Sequence, residues 1–270
     1  NAKGRRRTLM SDVVRYEAEN GIATITLNRP ESLNAMDAAL LTGAVDALEA
    51  AALDSSIRVV ILTGAGRGFC AGGDLKATDT LGTGNMESRI GVLQSLQRSS
   101  KLLRGMSKVT IAAINGPCAG GGFSWATAAD LRYASVSAKF TTAYLNAGLS
   151  GDFGGTWMLP RIVGSSRARE LYLLSEKFSA EDAERYGFVS KVLADDELIP
   201  YVMSVAERLL AASPIALQRI KQNLNDAEDV SFSEALDREA DRHVRTGGSA
   251  DTAEARRAFL EKRPPKFTGR

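Results

Sequence analysis

Two glycine-rich turns are the segments of this chain most able to do chemistry. They read Phe69-Cys70-Ala71-Gly72-Gly73-Asp74 and Gly116-Pro117-Cys118-Ala119-Gly120-Gly121-Gly122-Phe123. Each follows a run rich in β-branched residues, 59–62 and 109–114, and each precedes a predicted helix. Glycine allows a backbone N–H to approach a ligand that a Cβ would keep away. Two such N–H groups can meet on one carbonyl oxygen and stabilise the charge that develops there, as in an oxyanion hole.

The composition limits the classes of function. Of the 270 residues, 44% are hydrophobic and 24% charged, which is typical of a soluble globular protein. A net charge of +2 does not indicate a nucleic-acid partner, and no apolar run is long enough to span a membrane. With His243 as the only histidine and two cysteines, Cys70 and Cys118, we expect no metal and no redox cofactor. Free thiols in a reducing cytosol are expected, with a disulfide between the two cysteines as the alternative.

The order of patterns predicts one α/β core followed by helices. Residues 1–10 are expected to be disordered or an added extension, because Met10-Ser11-Asp12 reads like a natural start. Residues 11–190 are predicted to form the core, in which alternating strands and helices favour right-handed βαβ crossovers. Residues 191–270 are predicted to be helical. Within the core, we expect a hairpin over 13–27, helices over 38–52 and 90–104, and a loop over 79–87.

Further motifs give the chain a family resemblance. It resembles the crotonase (enoyl-CoA hydratase/isomerase) superfamily from about Val14 to about Phe267. Besides the glycine turns, the matching segments are Ile25-Thr26-Leu27-Asn28-Arg29-Pro30, Leu33-Asn34-Ala35-Met36, Leu159-Pro160-Arg161-Ile162-Val163-Gly164, Ser179-Ala180-Glu181-Asp182-Ala183 and Tyr186-Gly187-Phe188-Val189. The resemblance implies a spiral of ββα repeats and an acyl-CoA thioester substrate, whose CoA is the only cofactor-like group. It also implies a homotrimer or dimer of trimers built by the C-terminal helices. A cytoplasmic location is expected on another ground, because no targeting segment remains if Met10 is the start.

The resemblance assigns roles to particular residues. The backbone N–H groups of Gly73 and Gly121 are expected to polarise the thioester carbonyl. Ala71 and Lys76 are expected to contact the substrate, Lys76 at a CoA phosphate or the adenine. Lys262 is expected to reach the CoA of a neighbouring subunit. For both lysines the alternative is an ordinary solvated side chain.

Two carboxylates that hydratases of this superfamily use are absent. The resemblance places one glutamate at Ser124 and the other at Tyr144. A tyrosine with a reference pKa near ~10 and a serine cannot replace a carboxylate base near neutral pH. We therefore expect these two hydroxyls to line the pocket or to orient a substrate oxygen.

A different acid, Asp152, is present in the segment Gly148–Trp157. Superfamily members with an aspartate there include the ring-epoxide isomerase of phenylacetate degradation, which Gly154-Gly155-Thr156-Trp157 resembles most, and a halobenzoyl-CoA dehalogenase. The dehalogenase needs a histidine in an earlier segment, which this chain lacks. We expect Asp152 to lie among Phe153, Trp157, Tyr144 and Phe123, where desolvation would raise its pKa, and we expect Trp157 also to contact the substrate. The alternative is that Asp152 caps the helix that follows.

Three functions remain open. The preferred one is isomerisation of an enoyl-CoA or a ring-type acyl-CoA, in which Asp152 moves a proton between carbons and a single base suffices. The second is hydration by Asp152 with a water relay, and the third is acyl-CoA binding without catalysis. Other charged residues are assigned structural roles: Asp74 as a helix cap, Asp130 in the core, Glu170 paired with an arginine, and His243 on a charged face.

Overall fold

The computed structural model describes residues 7–77 and 79–270, with residues 7–11 described by their backbone alone. The strands, in chain order, are β1 Arg7–Ser11, β2 Val14–Glu19, β3 Ile22–Leu27, β4 Val59–Gly64, β5 Val109–Ile114, β6 Cys118–Ala119, β7 Leu131–Ser135, β8 Lys139–Thr141, β9 Phe178–Ser179 and β10 Lys191–Leu193. The helices are α1 Ala38–Leu53, α2 Met86–Leu96, α3 Arg98–Gly105, α4 Gly120–Ala128, α5 Gly155–Val163, α6 Ser165–Leu174, α7 Ala180–Arg185, α8 Leu198–Leu210, α9 Pro214–Ala227, α10 Phe232–Gly247 and α11 Ala250–Leu260. Short 3-10 turns cover Pro30–Ser32 and Leu145–Ala147.

The main sheet of the described chain has seven strands in the order β1-β2-β3-β4-β5-β7-β10. The first three strands pair antiparallel, and β3, β4, β5, β7 and β10 run parallel. A second, smaller sheet has the strand order β6-β8-β9. The predicted α/β class, the hairpin over 13–27 and the helix over 38–52 are confirmed.

The central strands are buried on both faces because their residues are apolar at every position. In β4, Val60 and Leu62 pack into the larger core, which also holds α1 and α4. Val59 and Ile61, which point to the opposite face, pack against α8. Continuous apolar runs of this kind are typical of parallel strands covered by helices on both sides. The sheet is therefore a rigid base from which the two glycine turns emerge.

Three predicted boundaries need correction. Arg7–Ser11 forms β1, whose backbone pairs with β2, so the predicted disorder is wrong for residues 7 to 10, whereas residues 1 to 6 lie outside the described chain. Lys191–Leu193 forms β10, whose backbone pairs with β7, so the helical part begins only at Leu198. The helix predicted over 90–104 is two helices, α2 and α3, which meet at Gln97.

Candidate active site

The first glycine turn is held open by pairing with the segment before α1. Met36 N donates to Gly72 O at 2.7 Å, and Asp74 N donates to Met36 O at 3.0 Å. These two bonds use the peptide groups on either side of Gly73. No acceptor for the Gly73 N–H occurs in residues 7–77 and 79–270. That N–H is thus left free for a ligand, and Gly73 itself is exposed.

Gly121 offers its N–H for a different reason. It is the second residue of α4, and the N-cap residue Ala119 supplies no side-chain hydrogen bond. The N–H groups of a first helical turn lack intrahelical acceptors, and the helix dipole there favours negative charge. A Cβ on Gly121 would lie 2.6 Å from Met36 Sδ and 3.2 Å from Phe153 Cδ2, so the position has no room for a side chain.

The two turns lie against each other. Cys70 and Cys118 form an isolated parallel bridge, and Ala119 N donates to Cys70 O at 2.9 Å. Gly72 has a φ of +88°, and a Cβ there would approach Ala119 O to 2.9 Å. Glycine is needed here both for the left-handed backbone and for the close approach. The donors Gly73 and Gly121 therefore lie on adjoining segments, as an oxyanion hole requires.

An arginine braces the first turn. Arg29 donates from Nη1 to Ala35 O at 2.6 Å, and its guanidinium pairs with Asp37 at 3.2 Å and with Asp74 at 3.0 Å. Asp74 Oδ1 also accepts from Lys76 N, and this bond, followed by the one from Arg29, lowers the pKa of Asp74. The predicted helix cap at Asp74 is wrong, because a turn and not a helix follows it.

Asp152 precedes α5 without capping it. The N-cap of α5 is Gly154, in the left-handed conformation with φ 83°, and none of the described side chains caps the helix. Asp152 Oδ1 instead accepts from the Tyr144 hydroxyl and from Phe153 N, the latter at 2.7 Å. Burial raises the pKa of Asp152, and the hydrogen bonds from Tyr144 and Phe153 oppose that rise. The helix-cap alternative is therefore wrong, because the Asp152 carboxyl does not bind the first N–H groups of α5.

Two residues that the sequence analysis missed hold the backbone around Asp152. Gln97 Nε2 donates to Asp152 O at 2.5 Å, and Ser100 Oγ donates to Phe153 O at 2.9 Å. Gln97 lies at the junction of α2 and α3, and Ser100 lies one turn later. Their partners are 55 and 53 residues away in the chain, so no local pattern could reveal these contacts.

Ser124 and Tyr144 meet beside Asp152. Their hydroxyl oxygens lie 2.9 Å apart, and both residues are buried. The Tyr144 ring stacks on Tyr172 at a centroid distance of 6.2 Å and an angle of 8°. Burial raises the pKa of Tyr144, with the charge of Asp152 as the second cause, and burial raises the pKa of Tyr172 to about 12. Both phenols therefore remain protonated near neutral pH.

The predicted ring of aromatic residues around Asp152 is only partly correct. Tyr144 contacts the carboxyl, and Phe153 packs edge-on against Trp125, a residue that the sequence analysis did not single out. Phe123 was placed wrongly. It is fully buried in an aromatic cluster with three other rings, Phe140, Phe178 and Phe188.

The Trp157 ring makes cation–π contacts with two arginines. The guanidinium carbon of Arg161 lies 3.6 Å from its ring centroid, and that of Arg104 lies at 4.6 Å. Both arginines also pair with Glu228, the residue that follows the end of α9. These contacts tie α5 to the C-terminal helices, and the predicted substrate contact of Trp157 stays a prediction.

A cavity of about 790 Å³ opens beside the first glycine turn. It is lined by Ala71, Gly73 and Lys76 together with Arg29 and Arg67. Lys76 is exposed, as a contact to a solvated phosphate would require. Lys262 lies just after α11, is exposed, and does not line this cavity, so its role stays a prediction.

The remaining acids and the cysteines have structural surroundings. Asp130 accepts from Thr110 and pairs with Lys221 at 2.7 Å, and Glu170 pairs with Arg167, as predicted. Cys70 and Cys118 are free and buried, and burial raises the pKa of Cys70 to about 12.

Residues 7–77 and 79–270 lack two kinds of feature. They contain no group of three or more His, Cys, Asp or Glu residues able to hold a metal ion. In the same ranges no single helix is long and apolar enough to cross a membrane, and only the bent pair α8–α9 meets that test of length and composition when its two helices are taken together.

Comparison with known proteins places this site in a family. The profile of the enoyl-CoA hydratase/isomerase family matches residues 17–270. The chain is 38% identical to the 1,2-epoxyphenylacetyl-CoA isomerase of Escherichia coli K12, over 97% of this chain and all of the relative. It belongs to the enoyl-CoA hydratase/isomerase family. Within this family it is also 35% identical to the crotonyl-CoA hydratase of Syntrophomonas wolfei, over 93% of this chain and 96% of the relative.

Solved structures of family members have the same fold. The enoyl-CoA hydratase of Bacillus anthracis superposes with a TM-score of 0.89 at 31% identity, covering 96% of this chain and all of that one. The predicted crotonase fold and membership of this enzyme family are thereby confirmed. The relatives include both hydratases and an isomerase, so the reaction must be argued from the residues of the site.

Proposed function

We propose that this acyl-CoA enzyme is an isomerase that moves a proton between two carbons of the acyl group. With a 3-enoyl-CoA, the Asp152 carboxylate takes a proton from C2. The electrons of that C–H bond pass into a dienolate whose charge rests on the thioester oxygen. Asp152 then returns the proton to C4, and the double bond lies between C2 and C3. Atoms and charge balance with one base and no co-reactant.

The observation that carries this proposal is the environment of Asp152. Its carboxyl is partly buried beside Tyr144 and Ser124, the two positions at which a hydratase would have glutamates. Hydration needs one group to deprotonate water and another to protonate carbon, whereas both neighbours here are protonated hydroxyls. Burial raises the pKa of Asp152. A stronger base is better matched to a weak carbon acid.

The backbone supplies the second part of the mechanism. The N–H groups of Gly73 and Gly121 would bind the thioester oxygen, and because Gly121 lies in the first turn of α4, the positive end of that helix would favour the developing charge. Such donors stabilise the dienolate more than the ground-state carbonyl, because the charge develops only during reaction. The cavity beside Gly73 would accept the anionic end of CoA at Arg67 and Lys76, since Arg29 is already paired with Asp37 and Asp74. Lys262 would extend this cation set in a homotrimer or dimer of trimers.

The second candidate function is ring-epoxide isomerisation. It is favoured by the similarity to the Escherichia coli 1,2-epoxyphenylacetyl-CoA isomerase and by the Ser124 and Tyr144 hydroxyls, which could hold a substrate oxygen. Hydration with Asp152 as the base and acyl-CoA binding without turnover are the other outcomes that an experiment must separate.

The experiment is a ¹H-NMR time course in D₂O with 3-enoyl-CoA and 2-enoyl-CoA as substrates. Wild type is compared with Asp152→Asn and with Asp46→Asn, an exposed aspartate on α1 that serves as the matched control. Double-bond migration in wild type and Asp46→Asn, absent in Asp152→Asn, supports the proposal. A 3-hydroxyacyl product would identify a hydratase instead. If neither substrate changes, 1,2-epoxyphenylacetyl-CoA is tested next, and binding without turnover of any substrate would identify a non-catalytic binder.

A further inference from the structure

The two oxygens of the Asp152 carboxyl have different surroundings. Oδ1 accepts two hydrogen bonds, from the Tyr144 hydroxyl and from Phe153 N. Apart from the main chain of Asp152 itself, no described residue donates a hydrogen bond to Oδ2. Because the main chain at this point is also tied to Gln97 and Ser100, the carboxyl is held at one oxygen and open at the other.

The direction of the hydrogen bonds follows from counting protons. A tyrosine hydroxyl has one hydrogen, and an ionised carboxylate can only accept. Tyr144 must therefore donate to Asp152 Oδ1. In the 2.9 Å contact between Ser124 Oγ and Tyr144 Oη, Ser124 must then be the donor. The bonds run in one direction, from Ser124 to Tyr144 to Asp152, and each bond in such a chain polarises the next.

We infer that Tyr144 is a positioning residue that fixes Oδ1 of Asp152 and leaves Oδ2 as the oxygen that carries the substrate proton. This inference rests on the proposed isomerase function. The Tyr144 phenol does not exchange protons with the substrate itself, since burial and the charge of Asp152 raise its pKa. Ser124 acts one step further away, by orienting the Tyr144 hydroxyl.

The arrangement also predicts how the base is tuned. Donation from Tyr144 stabilises the carboxylate, so it limits the rise in pKa that burial causes at Asp152. Without that donor, Oδ1 would keep only Phe153 N, and the carboxyl could rotate about its last bond. Removal of the phenol oxygen should therefore raise the pKa of the base and reduce the fraction of carboxyls that face the substrate.

The chain provides a matched control. Tyr172 stacks on the Tyr144 ring and its hydroxyl lies on the side of Ser124, but no hydrogen bond joins that hydroxyl to Asp152 within the described residues. Tyr172→Phe removes one phenol oxygen from the same pair of rings without removing a donor to Asp152. Each variant therefore loses one tyrosine hydroxyl, but only Tyr144→Phe loses a hydrogen bond to Asp152.

The test is the pH dependence of kcat/KM and kcat for 3-enoyl-CoA isomerisation. In Tyr144→Phe we expect the midpoint of the acid limb to move to higher pH by about one unit, with plateau kcat reduced about tenfold and KM little changed. Ser124→Ala should move the midpoint in the same direction by less, and Tyr172→Phe should leave it in place. Because Ser124→Ala leaves both rings intact, it decides the question if Tyr144→Phe does not fold.

The outcomes separate this inference from the proposed function. If wild type isomerises, Asp152→Asn does not, and both hydroxyl variants keep the wild-type midpoint, the positioning role is wrong while the function stands. If wild type does not isomerise any acyl-CoA, the proposed function is wrong and the inference falls with it. An equal shift in Tyr172→Phe would also overturn the inference, because general repacking would then explain the change.

Discussion

The hydroxyl oxygens of Ser124 and Tyr144 lie 2.9 Å apart, and Tyr144 donates onward to Asp152. The family resemblance places the two glutamates of a hydratase at Ser124 and Tyr144, and in this chain the two positions carry hydroxyls that are bonded to each other. Tyr144, which cannot act as a base near neutral pH, thus holds the carboxyl of the proposed base, Asp152, and Ser124 contacts Tyr144.

Asp152→Asn is expected to abolish isomerisation while leaving the fold intact. Positioned general bases contribute about 10²–10⁴-fold, so we expect a loss on the order of 10³ in kcat/KM. Asn keeps an Oδ1 that can accept from Tyr144 and Phe153, and circular dichroism should be unchanged. Residual activity within tenfold of wild type would mean that another residue is the base.

The same variant is expected to be at least as stable as wild type at high pH. The folded-state pKa of Asp152 is raised above its unfolded value near ~3.9, so folding favours the protonated form. The contribution of that form is fully present below the unfolded pKa and is lost as pH rises through the folded pKa. Melting temperatures at pH 4 and pH 8 test this. Asp152→Asn should match or exceed wild type at pH 8, and its relative advantage should shrink at pH 4.

Gly121→Ala is expected to impair catalysis through the backbone. Its Cβ would lie 2.6 Å from Met36 Sδ, and Met36 is itself buried and paired with the first glycine turn. A shift there moves one or both oxyanion donors, and loss of one such donor costs on the order of 10²-fold in kcat. Gly105→Ala, at the end of α3 with no atom within 4 Å of its Cβ, is the control and should keep wild-type kcat. Wild-type kcat in Gly121→Ala would contradict the assignment of this N–H.

Much of the fold could be predicted because its signals are local. The apolar runs of β4 and β5 and the helical period of α1 follow directly from the sequence, and so do the C-terminal helices. The division at Gln97 could not be predicted, because α2 and α3 both have helix-forming sequences. Gln97 lies at their junction and binds the Asp152 carbonyl, a contact that exists only in the folded chain.

The site could be predicted only where motifs mark it. The glycine turns and Asp152 belong to recognisable segments. Tyr172 and Ser100 belong to no sequence motif. Tyr172 matters because its ring stacks on Tyr144, and Ser100 because it donates to the Phe153 carbonyl, and both partners are distant in the chain. Phe123 was misplaced for a related reason: residues on one short helix face different environments, and α4 directs Phe123 into the core.

Lys221→Met is expected to destabilise the attachment of the C-terminal helices. Lys221 is buried on α9, where it pairs with Asp130 at 2.7 Å and donates to the carbonyls of Leu103 and Lys108. Removal of one partner of a buried pair costs about 3–5 kcal/mol in free energy of unfolding, because the other charge is left behind. Urea unfolding measures the loss. Arg245→Ala, which breaks an exposed pair with Asp241, should change stability by less than about 1 kcal/mol. A loss of similar size in both variants would contradict the role of burial.

Ser124→Glu is expected not to restore hydration. Ser124 is fully buried, and a Cβ on the neighbouring Gly155 would lie 2.6 Å from its hydroxyl and 2.3 Å from that of Tyr172, so the surroundings have no room for three more heavy atoms. A second carboxylate beside Asp152 would also repel it, and one of the two would stay protonated at neutral pH. We expect a loss of about 1–3 kcal/mol in stability from overpacking, lower isomerase activity and no 3-hydroxyacyl product from 2-enoyl-CoA.

Ser124→Ala, which removes the hydroxyl without adding volume, should keep the fold and most of the isomerase activity. Hydration by Ser124→Glu would mean that the site still accommodates the two-carboxylate mechanism, and that its geometry does not exclude the hydratase reaction.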